Sequence, residues 1–156
     1  MHLERATSAT EELHLALKRL IPQLTANHAP PSQDDLAALI GSDSARLLIV
    51  RYPDEHGAIV GTANLTLYLV PTGLRAILED VVVDEQLRGR GIGEALVRYA
   101  LDLSRDAGAR GVSLTSNSKR VAANQLYQKL GFLKRNTNSY YYDLEGSGTM
   151  RRRGRG

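Results

Sequence analysis

A six-residue run, Arg88-Gly89-Arg90-Gly91-Ile92-Gly93, narrows the folds open to this chain more than any other feature. A β-rich stretch precedes it. After it, Ile92, Ala95, Leu96, Tyr99 and Leu103 fall on one face of a helix. A strand that passes through a glycine turn into a helix is an anion cradle. Glycines let the backbone approach a phosphate, the free N–H groups of the first helical turn point at it, and the helix dipole favours negative charge. Arg88 and Arg90 add positive charge at the mouth. Two nucleotide patterns fail here: a dinucleotide fingerprint would need glycine where Glu94 or Leu96 stands, and no P-loop run G-x-x-x-x-G-K-[ST] occurs.

The rest of the chain predicts an α/β (α+β) fold around that turn. His2 to Ala6 reads as a short strand, and Thr7, Ser8 or Thr10 can cap the helix that follows. Leu13, Ala16, Leu17, Leu20, Ile21 and Leu24 give that helix an apolar stripe, which Pro22 should kink or end. Ser32 with Asp35 resembles a capping box opening a second short helix. Three β-rich runs at 46–52, 59–70 and 74–83, separated by turn residues, predict an antiparallel meander. Beyond the glycine-turn helix, which Gly108 should stop, come a strand at 112–116 and a helix at 121–130 closed by Gly131. Two further strands are expected at 132–135 and 140–144. The sheet should therefore be mixed and mostly antiparallel, with six to seven strands and about four helices.

Composition excludes several functions. With 156 residues the chain is the size of one domain, and none of its apolar runs approaches the ~20 residues of a membrane-spanning helix. The absence of cysteine removes disulfides, thiolate metal sites and a cysteine nucleophile. Four scattered histidines lack metal-ligand spacing, so no metal site is expected. The net charge of +3 comes from the tail, since removing its four arginines at 151–155 leaves 16 basic against 17 acidic residues. A nucleic-acid binder would spread its basic residues over a folded face. The expectation is a cytoplasmic domain at 1–145, with a disordered basic tail at 146–156.

Two motifs carry a resemblance. Leu78-Glu79-Asp80-Val81-Val82-Val83-Asp84 followed by Arg88-x-x-Gly91-x-Gly93 and Glu94-Ala95-Leu96 resembles the acetyl-CoA pyrophosphate motif of the GCN5-related N-acetyltransferase (GNAT) superfamily. The overlapping Gln86-x-x-Gly89-x-Gly91 satisfies the same pattern. Some 30 residues later, the run from Ala122 through Leu126-Tyr127 to Gly131-Phe132 resembles the second hallmark of that superfamily. The order of elements over residues 2 to 144 agrees.

The resemblance implies a function. The family is expected to hold acetyl-CoA where the fourth and fifth strands splay apart, and to move the acetyl group directly to a primary amine on a small molecule or peptide. Val81, Val82 and Val83 would pair with the pantetheine arm and polarise the thioester carbonyl. Arg88, Gly89, Arg90, Gly91, Ile92, Gly93 and Glu94 would take the pyrophosphate, with Asn124 and Lys129 as further coenzyme contacts. Tyr127 matches the position of the acid that protonates the departing thiolate; its helical spacing with Ala123, Leu126 and Leu130 equally suits a core tyrosine. Glu79 is the expected base, in a Leu78-Glu79-Asp80 run resembling the I-E-D of glucosamine-6-phosphate N-acetyltransferases. Glu79 and Asp80 also read as ordinary strand polars on opposite faces. Many family members carry asparagine seven residues before the tyrosine, where this chain has Arg120; Asn117 or Asn124 can substitute. The resemblance assigns acceptor choice to the stretches Thr25 to Ser32 and Arg135 to Tyr140, and it allows a homodimer. Two other readings stand beside it: a coenzyme-A-binding module without catalysis, and a nucleic-acid-associated protein acting through the arginine tail.

Overall fold

Burial alternates along the central strands. Leu48, Ala63, Leu65 and Leu78 belong to one apolar cluster, and Leu47, Ile49 and Ile59 to another on the opposite face, as the two-residue period of a strand requires. Each face therefore needs a covering layer. In the computed structural model, which describes residues 1–146, helices cover both. The elements run β1 (His2–Arg5), α1 (Glu11–Leu24), α2 (Gln33–Gly41), β2 (Ala45–Tyr52), β3 (Ala58–Val70), β4 (Gly73–Val83), α3 (Ile92–Asp106), β5 (Val112–Ser113) and α4 (Val121–Lys129). Strands β1 to β4 pair antiparallel in sequence order, and β5 joins β4 in parallel. This is the expected mixed, mostly antiparallel sheet, with five strands instead of six to seven.

Helices α1 and α2 lay Leu13, Leu17 and Leu36 on the Leu47–Ile49 face. Leu96, Val97 and Ala100 of α3 and Tyr127 of α4 cover the other. Thr10 caps α1, its hydroxyl accepting from the Leu13 N–H at 3.2 Å. Pro22 does not end α1, which continues to Leu24. Tertiary packing supplies most helical stability in proteins, and here Leu20 is fully buried while one donor is lost in the final turn. The capping box of α2 is formed: the Asp35 N–H donates to Ser32 Oγ at 3.1 Å, and the Ser32 N–H donates to Asp35 Oδ2 at 3.1 Å. The Ser32 hydroxyl, donating to Asp35 Oδ2 at 2.7 Å, and then the Ser32 N–H hold the Asp35 carboxyl below its ordinary value. Replacing Ser32 with alanine should lower the melting temperature by about 4 °C, measured by thermal unfolding near pH 7.

The C-terminal strands are corrections. Residues 132–135 and 140–144 run outside the sheet, and β5 is two residues rather than five. β-propensity rewards fit to a half-buried pleated surface. Three consecutive tyrosines offer no inward and outward alternation, and Tyr140, Tyr141 and Tyr142 are 84–90% exposed. The basic tail expected at 146–156 falls, from 147 onward, outside the described residues.

Candidate active site

The end of β4 and the start of α3 are brought together by a clamp from α1. After Val83 the chain makes a short 3₁₀ turn, Glu85–Leu87, opened by Asp84. Arg19 binds Asp84 through Nε at 3.2 Å and the Ile59 carbonyl through Nη2 at 2.6 Å. The Glu85 N–H donates to Gln23 Oε1 at 2.8 Å. Sequence reasoning missed this clamp, because Arg19 and Asp84 lie 65 residues apart and share no periodicity.

The glycine turn has the geometry of a cradle. Gly91 is the N-cap of α3 with φ of 76°, and Gly89 has φ of 78°, a region that L side chains rarely adopt. A Cβ built on either would meet nothing within 4 Å, so the space above the turn is open. The Ala95 N–H is the first in α3 to reach back, to the Gly91 carbonyl. The N–H groups of Ile92, Gly93 and Glu94 are left as the free donors of a helix start. Ile92 is buried beneath the turn with Val50 and Val60. Arg88 Nε donates to the Val83 carbonyl at 3.3 Å, and Arg90 lies 5.9 Å from the Tyr52 ring centroid. Neither arginine pairs with a carboxylate among the described residues.

Glu94 and Lys129 are joined to each other. Lys129 Nζ lies 2.7 Å from Glu94 Oε2, and Arg98 Nη2 lies 2.9 Å from Glu94 Oε1. Both cations hold the Glu94 carboxyl below its ordinary range, Lys129 most strongly. The charged ends of this pair fasten α4 to α3.

The outer edge of β4 is open beyond Ile77. β5 pairs only at Ala76 and Ile77, so among the described residues Leu78 through Val83 have no strand partner on that side. Thr62 pairs with Val82 and Asn64 with Glu79, which leaves Asp80 and Val81 opposite Ala63 alone. This is a β-bulge, and Asp80 sits in it with φ of 53°. Val81 and Val82 are buried and Val83 half-buried. Across the opening, Arg120 Nη2 donates to the Val81 carbonyl at 3.1 Å. Asn124 Nδ2 bonds the Asn117 and Arg120 carbonyls, each at 2.9 Å, and so closes the loop before α4.

Tyr127 is 6% exposed and shares a cluster with Val81, Leu78 and Leu96. Phe132 meets its ring edge-on at 5.8 Å. Burial pushes the phenol above its ordinary value, and the charge of Arg120 pulls it part of the way back. Glu79 is exposed, and the strand alternation puts it on the opposite sheet face, beside Asn64, whose buried Oδ1 has no partner among the described residues. The two candidate proton-transfer groups thus flank β4 from opposite faces and can meet a substrate only at its open edge. An open cleft of about 1330 Å³ lies between β5, α4 and residues 131–139, and Tyr127 and Asn124 reach its wall. Among the described residues no cluster of three or more His, Asp or Glu could hold a metal, and no helix is long and apolar enough to cross a membrane.

A strand edge without a partner strand beside a glycine-capped helix start, flanked by Arg88 and Arg90 with no carboxylate partner among the described residues, suits an anionic ligand with an extended arm. Residues 13–132 match the Acetyltransferase (GNAT) family, and the chain belongs to it. It is 43% identical over 79 residues to a glucosamine 6-phosphate N-acetyltransferase of Trypanosoma brucei brucei, covering 49% of this chain and 52% of that protein. It is 32% identical over 124 residues to a probable glucosamine 6-phosphate N-acetyltransferase 2 of Oryza sativa subsp. japonica, covering 78% of this chain and 72% of that one. The chain therefore spans only about half the length of the trypanosomal relative. A solved putative acetyltransferase from Agrobacterium tumefaciens str. C58 shares the fold, with a TM-score of 0.78 at 23% identity over 92% of this chain and 100% of that one.

Proposed function

We propose that this protein is an acetyl-CoA-dependent N-acetyltransferase whose acceptor is a primary amine on a small polar molecule. The observation that carries the reading is the set of three free N–H groups at the start of α3, set beside the unpaired edge of β4. The N–H groups of Ile92, Gly93 and Glu94 bind the diphosphate of the coenzyme, with the conformations of Gly89 and Gly91 keeping side chains out of its way. Arg88 and Arg90 draw the anion in. Val81, Val82 and Val83 present backbone groups to the amide-bearing arm, and an N–H of this edge stabilises charge growing on the thioester oxygen. Glu94 acts through its main chain, while its pair with Lys129 keeps α4 in place.

The acetyl group moves directly between substrates, with no acyl-enzyme. The amine nitrogen adds to the carbonyl carbon, the carbonyl π electrons move onto the oxygen, and the tetrahedral intermediate collapses as the C–S bond breaks and the thiolate leaves. Glu79, directly or through water, takes the proton the amine loses, since a free amine of pKa ~10 is mostly charged at neutral pH. Tyr127 gives its phenolic proton to the departing thiolate and recovers one from solvent. The raised phenol value keeps that proton in place at neutral pH.

Two relatives are named for glucosamine 6-phosphate, which places that amino sugar first among acceptors to try. The test is release of coenzyme A thiol from acetyl-CoA with an amine panel holding glucosamine 6-phosphate, an aminoglycoside, a polyamine and a peptide. Release that depends on one of these amines is expected. Tight coenzyme binding without release on any amine would leave a binding module instead.

A further inference from the structure

One charged group near the reacting edge has no part in this chemistry. Arg120 is the N-cap residue of α4, yet its side chain caps nothing there. A cation at a helix N-terminus lies at the positive end of the dipole, so helix stability disfavours it. Its guanidinium turns away from α4 to the Val81 carbonyl at 3.1 Å, on the β4 edge that lacks a strand. No carboxylate pairs with it among the described residues, and the residue is half-buried. Tyr127 follows seven residues later, two helical turns on and on the same face of α4. The cation thus joins the edge expected to hold the thioester to the helix face that carries the phenol.

We propose, on the basis of the acetyl-transfer reading above, that Arg120 is a positioning residue that pins the start of α4 to β4 and eases proton donation by Tyr127. The step is the one already written: the C–S bond breaks, the thiolate takes the Tyr127 proton, and the phenolate left behind is stabilised by the guanidinium charge until solvent reprotonates it. A phenol raised by burial alone is a weak donor to a thiolate, whose ordinary pKa is near 8.5. The nearby positive charge reduces that mismatch. Charged groups on the surrounding elements are Glu79 and Asp80 on β4, Glu94 with Arg98 and Lys129 across α3 and α4, and Lys134 and Arg135 beyond α4. The charge of Arg120 pulls the phenol down against its burial.

Four proteins separate the effects: the natural chain, Arg120→Gln, which keeps a donor and loses the charge, Arg120→Lys, which keeps the charge, and Tyr127→Phe. For each, kcat and KM for acetyl-CoA are measured across pH 6 to 11 together with the melting temperature. Arg120→Gln should lower kcat about tenfold and move the alkaline limb of kcat up by about one pH unit, with KM within about twofold. Arg120→Lys should restore the limb. An unmoved limb in Arg120→Gln, with only its melting temperature lowered, makes Arg120 structural and overturns the proposal. Should Tyr127→Phe keep the natural alkaline limb, the Tyr127 assignment itself falls, and this proposal with it.

Discussion

Gly91→Glu should bind coenzyme A at least about a hundredfold more weakly than the natural chain, while melting within a few degrees of it. The affinity loss follows from charge. A carboxylate at the N-cap of α3 occupies the space in which a diphosphate would meet the free N–H groups. Two like charges ~4 Å apart repel by roughly 1 kcal/mol in water and about 4 kcal/mol near a protein surface, and a hundredfold change needs ~2.7 kcal/mol. The small stability change follows from the local geometry. A side chain at φ of 76° is strained by about 1 kcal/mol, but a Cβ there meets nothing within 4 Å. An acidic group at a helix N-terminus recovers part of that strain. Gly91→Ala carries the strain without the charge and should lose far less affinity. Isothermal titration with coenzyme A measures both variants, and equal affinities for Gly91→Glu and the natural chain would remove the turn from the binding site.

Tyr127→Phe should lower kcat by about a hundredfold, in the range of general acid contributions, and leave KM for acetyl-CoA within about twofold. The reason lies in how the residue is held. The ring packs in the Leu96–Val81 cluster and meets Phe132 edge-on, and both contacts survive the change. Among the described residues no hydrogen bond contributes to the setting of the phenol, so removing its hydroxyl strands no buried partner there and the fold should be unaffected. The phenol is raised by burial, so in the natural enzyme it stays protonated and active through neutral pH, and turnover falls as pH rises through its value. That alkaline limb should vanish in the variant. Undiminished turnover would reduce Tyr127 to a packing residue.

Much of this arrangement was legible in the sequence because its signals are local. The strand, glycine turn and helix are contiguous, so the backbone of Gly89 and Gly91 follows from residue identity and the free donors follow from any helix start. The Ser32–Asp35 box and the meander from β2 to β4 are local in the same way. What could not be read depends on separation in sequence or on competition. The Arg19–Asp84 clamp joins two elements with no shared pattern. The Asp80 bulge is set by the register of β3 against β4, which alternation alone leaves undetermined. Of the two outcomes expected at Pro22, a kink or an end, the helix does not end there but runs on to Leu24. The tyrosine run at 140–142 had strand composition without an apolar face to place. Arg120 was visible only as a departure from asparagine, and its reach to Val81 appears only once α4 is set against β4.

The central claim is that main-chain amides at the start of α3 hold the coenzyme. Titrating coenzyme A into nitrogen-15-labelled protein and following the amide resonances tests it most directly. The largest shifts should fall on Gly89, Gly91, Ile92, Gly93 and Glu94, with a second set on Val81 to Val83. Shifts confined to residues 111–116 and 131–139, around the cleft between β5 and α4, would contradict it.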